Sequence, residues 1–207
     1  MKKRILTLLL CTTFTLSCLT SCGSRKPEEV SESEPTQASS ETSYKTMKSP
    51  DYGWTMEELL SVTYLCGRQL TCPLTVDDLG EEFTIDTDVL NLTDRFVTNT
   101  NYKGQFMAPC IFGEENNTEQ DLKNFRSFNV AMPENAEGFS FSINGAGFES
   151  SKEEVIKALG LPDDQNPDAE MLFYYDREDE KSKLSIMFNN DKPLEFSFSF
   201  AKGDNGE

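Results

Sequence analysis

Six cysteines, 36 acidic side chains and many serines are the residues here whose types could carry chemistry, and the chain has no histidine to activate any of them. Cys11, Cys18 and Cys22 lie near the N-terminus; Cys66, Cys72 and Cys110 lie in the body. Three is an odd number, so these body cysteines cannot all pair within one chain. A Cys72–Cys110 bridge is open, whereas zinc held by three scattered thiols without an imidazole is a poor reading. Cys72 alternates with Leu70 and Leu74 and is expected to be an ordinary buried thiol. The run Asp163-Asp164-Gln165-Asn166-Pro167-Asp168 offers hard oxygen ligands of the calcium kind, yet it lacks EF-hand spacing and reads as a helix-exit loop. Asp86 and Asp88 offer the same oxygens and are likewise not assigned to a metal. No serine sits in a Gly-x-Ser-x-Gly elbow, and Asn144-Gly145-Ala146-Gly147 is too short for a phosphate loop. No catalytic residue, metal ligand or cofactor is therefore assigned, and the chain is expected not to be an enzyme.

The N-terminus carries Lys2, Lys3 and Arg4, then an apolar run from Ile5 to about Leu19, too short to span a bilayer with margin. It ends Leu19-Thr20-Ser21-Cys22-Gly23, with a small residue before the cysteine and a leucine three positions upstream of it. This resembles the lipobox of bacterial prolipoproteins; Cys18, with Leu16 two positions before it, fits less well. The resemblance implies that residues 1–21 are a cleaved signal peptide. It also implies that Cys22 becomes an acylated N-terminus, with palmitate-type chains anchoring the protein on the extracytoplasmic face of the cell membrane. Each buried methylene contributes about 0.8 kcal/mol, so two or three chains hold the protein firmly. Cleavage removes three of 19 basic residues and no acidic one, leaving 16 against 36 and a net charge of −20. Such a chain is repelled by nucleic acid and by anionic head groups, so neither is expected to dock on the folded part.

Residues 22–50 are rich in Ser, Glu, Thr and Pro with almost no large apolar side chains, the composition of a disordered acidic tether. Residues 51–204, roughly 155, suffice for one core. Their pattern predicts an α+β domain, with short helices packed on one face of an antiparallel sheet. Thr55 with Glu58 caps a first helical turn, and Val62–Cys72 forms a hairpin turning at Gly67-Arg68. A one-turn helix runs over Thr75–Gly80, followed by an extended Phe83–Ile85. Tyr102–Ala108, Phe125–Val130 and Phe139–Ile143 read as strands; the rest of 86–120 gives no firm pattern. Ser151 and Glu154 make a capping box for a helix over Lys152–Leu159, stopped by Gly160 and Pro162. Three strands follow, Met171–Tyr175, Leu184–Phe188 and Leu194–Phe200. In the last, Leu194, Phe196, Phe198 and Phe200 face inward, and Glu195, Ser197 and Ser199 face water.

The stretch Gly147 to Asp163 carries Val155, Leu159, Gly160 and Pro162 and leads into aromatic strands. It is similar to a half-module of the β-lactamase-inhibitor-protein-like fold and of the SmpA/OmlA (BamE-type) lipoproteins. The stretch at 70–79 resembles the first part of lipoproteins of Gram-positive gut bacteria that end in such a module. The stronger similarity covers 145–200, and no clear second copy of the helix signature is present. These residues pack and stop a helix, so the resemblance implies architecture and a non-enzymatic role in protein contact or envelope maintenance, with no site carried over. Trp54, Tyr174 and Tyr175 are the candidate contact surface, since two adjacent tyrosines on one strand point to opposite faces. A protein partner of unspecified identity is expected; a small-ligand-binding lipoprotein serving a transporter is the rival reading.

Overall fold

The computed structural model describes residues 44–115 and 117–201. The expected signal peptide (1–21), Cys22, most of the expected tether and residues 202–204 lie outside them. An antiparallel sheet dominates, with three short helices among the described residues. In chain order the elements are α1 (Met56–Ser61), β1 (Thr63–Leu65), β2 (Arg68–Gln69), α2 (Val76–Leu79), β3 (Phe83–Ile85), β4 (Leu90–Leu92), β5 (Arg95–Tyr102), β6 (Gln105–Gly113) and β7 (Phe125–Ala131). There follow β8 (Phe141–Ile143), α3 (Lys152–Leu159), β9 (Asp164–Asn166), β10 (Met171–Tyr175), β11 (Lys183–Asn189) and β12 (Lys192–Ser199). A small sheet has the order β2-β1-β8. The large one runs β3-β5-β6-β7-β12-β11-β10-β9, with β4 also on β5.

Two three-strand meanders, β5-β6-β7 and β10-β11-β12, are joined by their last strands, with Phe128 opposite Phe198 and Val130 opposite Phe196. Each meander follows a helix that ends in Leu-Gly. Before β10–β12, the Glu154 carboxylate accepts from Ser151 N–H at 2.7 Å, and the Ser151 hydroxyl accepts from Glu154 N–H at 3.2 Å. Before β5–β7, the Asp78 carboxylate accepts from the Thr75 N–H and hydroxyl at 2.8 and 2.7 Å. Gly80 and Gly160 close the two helices at φ 96° and 88°, a region that suits glycine. The order helix, Leu-Gly, three-strand meander thus occurs twice, although the helix signature of the first occurrence is not legible in the sequence. Its helix has only four residues, too few to show a 3.6-residue stripe.

Several boundaries differ from the sequence reading, each for a local reason. The first hairpin pairs Tyr64 with Gln69 and Leu65 with Arg68, so it turns at Cys66-Gly67. Both residues have positive φ (48° and 80°), the geometry that matches strand twist in a two-residue turn. The chain leaves β2 at Leu70, so alternation stops there and Cys72 is exposed rather than buried with Leu70 and Leu74. Lys103-Gly104, read as mid-strand, is the positive-φ turn between β5 and β6. Asp164–Asn166 adds an edge strand on β10. Leu194 is 48% exposed instead of inward, because an irregularity beside Met187/Phe188 puts Pro193 opposite Phe188.

The chain is ordered on the domain before residue 51. Tyr44 stacks on Tyr64 at 4.5 Å between centroids. The Asn144 side chain reads both ends of Met47: its oxygen accepts from Met47 N–H at 2.7 Å, and its amide donates to Met47 C=O at 2.9 Å. The same amide donates to Ala158 C=O, and the Ser49 hydroxyl donates to Leu159 C=O at 2.8 Å. Residues 44–50 therefore belong to the domain. Their polar composition hid this, because hydrogen bonds from distant residues hold them, alongside two apolar contacts, Tyr44 on Tyr64 and half-buried Met47 against the core.

Candidate functional site

The pleat of the large sheet sorts its side chains into two sets of rows. On one face Thr98, Cys110, Phe128, Phe198, Leu184 and Tyr174 form a continuous cross-strand row, and every member is buried. Val130, Phe196, Ile186 and Leu172 form the next, also buried. Leu59, Leu60, Val155 and Leu159 from α1 and α3 belong to the same core.

Burial removes two of the three expected contact residues. Tyr174 is 1% exposed, and its hydroxyl donates to Gly160 C=O at 3.2 Å. Burial pushes its phenol pKa well above the ordinary value. Trp54 is likewise 1% exposed, and its indole N–H donates to Leu159 C=O at 2.7 Å. Both large rings fill the interior and bind the carbonyls left open at the end of α3, which is where amphipathic aromatics are stable when buried. Tyr175 alone lies on the other face.

That other face is half-exposed except at Ser185, which is buried. One row across it is Val97, Ile111, Ser127, Ser199, Lys183 and Tyr175. A second contains Asn129, Ser197, Ser185 and Phe173. A third contains Ala131, Glu195, Met187 and Met171. Three kinds of surface result. Phe173 and Tyr175 stack at 6.4 Å with 18° between their planes, and the Lys183 ammonium sits 5.1 and 5.7 Å from their centroids. Lys183 thus lies over two rings, a cation–π arrangement. At the centre, the Asn129 side-chain oxygen accepts from Ser197 at 2.6 Å and from Ser127 at 3.4 Å, making a low polar strip. Beyond it Met171 and Met187 stand beside Glu195, whose carboxyl pKa burial raises. Phe173, Met171, Met187 and Asn129 were not singled out in the sequence. The signal was the strict alternation of Met171–Tyr175, which puts Phe173 with Tyr175 rather than Tyr174 with Tyr175.

The polar clusters elsewhere have structural roles. Asp163 accepts from Tyr175 N–H, Asp164 from Gln165 N–H and Asn166 from Ala169 N–H, so the acidic run binds backbone of β10 and of its own neighbourhood. Asp86 accepts from the side-chain amides of Asn99 and Asn101. Among the described residues no group of three or more His, Cys, Asp or Glu is arranged to hold a metal. A polar crevice is lined by Thr55, Glu57, Glu58, Asp176, Arg177, Glu178 and Asp179, so carboxylates outnumber its single guanidinium. Arg177 pairs with both oxygens of Glu58 at 2.9 and 3.2 Å. Buried Asp176 accepts from the backbone N–H of Met56, Glu178 and Asp179. The structure holds no Cys72–Cys110 bridge; Cys110 is a buried thiol whose pKa burial pushes up to about 11. No known family model matches the chain, and no match is found among curated proteins or solved structures.

Proposed function

We propose that this protein is an extracytoplasmic lipoprotein, anchored in the cell membrane through acyl chains on Cys22. Its α+β domain docks a protein partner without catalysis. In this reading the short helices cover the buried face of the large sheet and leave the opposite face for contact. The observation that carries the proposal is the outward set of rows, which combines rigid aromatics, methionines and small hydroxyls across six strands. Such a surface offers apolar contact with hydrogen-bonding groups between, as protein interfaces do. It spans about 24 Å at ~4.8 Å per strand gap, a scale suited to a macromolecular partner rather than an enclosed small ligand. The chain's 36 acidic residues against 19 basic ones support a partner other than nucleic acid.

The anchor is tested by mass spectrometry of the processed N-terminus and by fractionation of Cys22→Ala. The variant is expected in the soluble fraction, and membrane retention would refute the anchor. Docking is tested by affinity capture from envelope extract with the intact domain and with Tyr175→Asp. A discrete partner lost in the variant, at unchanged thermal midpoint, supports the reading; capture that ignores the substitution counts against it. Stabilisation of the domain by one sugar, peptide or metal in a thermal-shift panel would favour the transporter-linked reading instead.

A further inference from the structure

Glu195 is an acidic group of the open face that its described surroundings leave without a partner. Among the described residues no Lys or Arg lies within ion-pair distance of it, and its carboxylate makes no hydrogen bond. Its flanking cross-strand neighbours, Ala131 and Met187, are apolar, and Met171 is next beyond Met187. A carboxylate in that setting has lost part of its hydration without gaining a compensating charge. The one lysine in these rows, Lys183, is held over Phe173 and Tyr175. No side chain among the described residues neutralises the half-exposed Glu195, and a cation carried on an apolar stem would complement it.

We infer that the partner presents an arginine or lysine to this face, its charged head on the Glu195 carboxylate and its methylene stem along Met171 and Met187. The inference rests on the docking reading above and deepens it. The geometry suits such a side chain, because long cationic residues lay their stems on apolar surface while the head finds an acceptor. Ser197, two residues further along the same strand and bonded to Asn129, offers the neighbouring polar contact. Lysine and arginine heads differ in that only the latter can span both carboxylate oxygens. Desolvation on docking strengthens the pair, and the acidic balance of the chain speeds approach of a basic surface.

The test is site-specific photo-crosslinking in intact cells with the full-length chain, a benzophenone side chain replacing Ser197 and, as a control, Lys123. The expected result is one discrete adduct from position 197 and none from 123. The adduct should fall at least tenfold in Glu195→Lys, and in Glu195→Gln with a thermal midpoint no lower than that of wild type. The crosslinked partner peptide should contain a Lys or Arg whose change to Glu restores the adduct with Glu195→Lys. An adduct of full yield in both Glu195 variants overturns the cation seat while leaving the docking face intact. Absence of any adduct from position 197, and from a second probe at Phe173, overturns the docking face and the seat with it.

Discussion

Asp176 ties together parts of the chain 120 residues apart: one carboxylate oxygen accepts from Met56 N–H at the start of α1, the other from Glu178 and Asp179 N–H. Removing it orphans buried donors rather than merely deleting a contact. Asp176→Ala is expected to cost about 3 kcal/mol in urea unfolding, and Asp176→Asn less, because its carbonyl oxygen still accepts. Glu195 acts in the opposite sense. Burial raises its folded-state pKa, so the native protein holds that proton to higher pH than the unfolded chain does. The stability linked to this proton is present below the unfolded carboxylate value, about 4.3, and is lost as pH rises through the folded value. Glu195→Gln should therefore hold or raise the thermal midpoint at pH 7 relative to wild type, with any difference vanishing near about pH 3. A midpoint lowered at pH 7 would contradict the desolvated carboxyl. These two acids look alike in sequence; their surroundings make one a keystone and the other an unsatisfied surface group.

At the scale of elements, short helices depend on their ends. The eight residues of α3 could not hold a helix in isolation, so its capping box, its Val155–Leu159 stripe and the donors meeting its last carbonyls all contribute. Asn144, Ser49, Trp54 and Tyr174 supply those donors, to Ala158, Leu159, Leu159 and Gly160 respectively. The segment 44–50 is joined to this end of the helix through Asn144. Asn144→Ala is expected to free that segment while the sheet stays folded, so trypsin should cleave after Lys45 and Lys48 several-fold faster than in wild type. Unchanged cleavage with intact circular dichroism would show that Tyr44 and Ser49 hold the segment without Asn144. The capping boxes were legible because their spacing is local. The segment itself was not, because its partners lie 97 and 110 residues away.

At the scale of the molecule, the two meanders share a seam of Phe128, Val130, Phe196 and Phe198, all buried. A large cavity there cannot be closed by moving one strand, because its neighbours are pinned on both sides. Phe198→Ala is expected to cost about 3–5 kcal/mol, whereas Phe106→Ala, at a position 58% exposed, should change stability by less than about 0.5 kcal/mol. If both meanders depend on the seam, unfolding stays a single transition in Phe198→Ala. Separate transitions would show that each half is stable alone.

Period-two alternation alone determined most of Met171–Ser199. An inward aromatic set and an outward Glu195-Ser197-Ser199 set follow from it, as do α1, α2 and α3 from their cap residues. Alternation says which residues share a face, and it needs no knowledge of distant chain. It does not say which strand lies beside which, and so the joining of β7 to β12, the packing of 44–50 and the pairing of the two meanders were decided only in three dimensions. Burial of Trp54 and Tyr174 was decided there too. A large ring with one polar atom is stable inside only when a carbonyl is waiting for it, and the carbonyls at the end of α3 reach that place through tertiary packing.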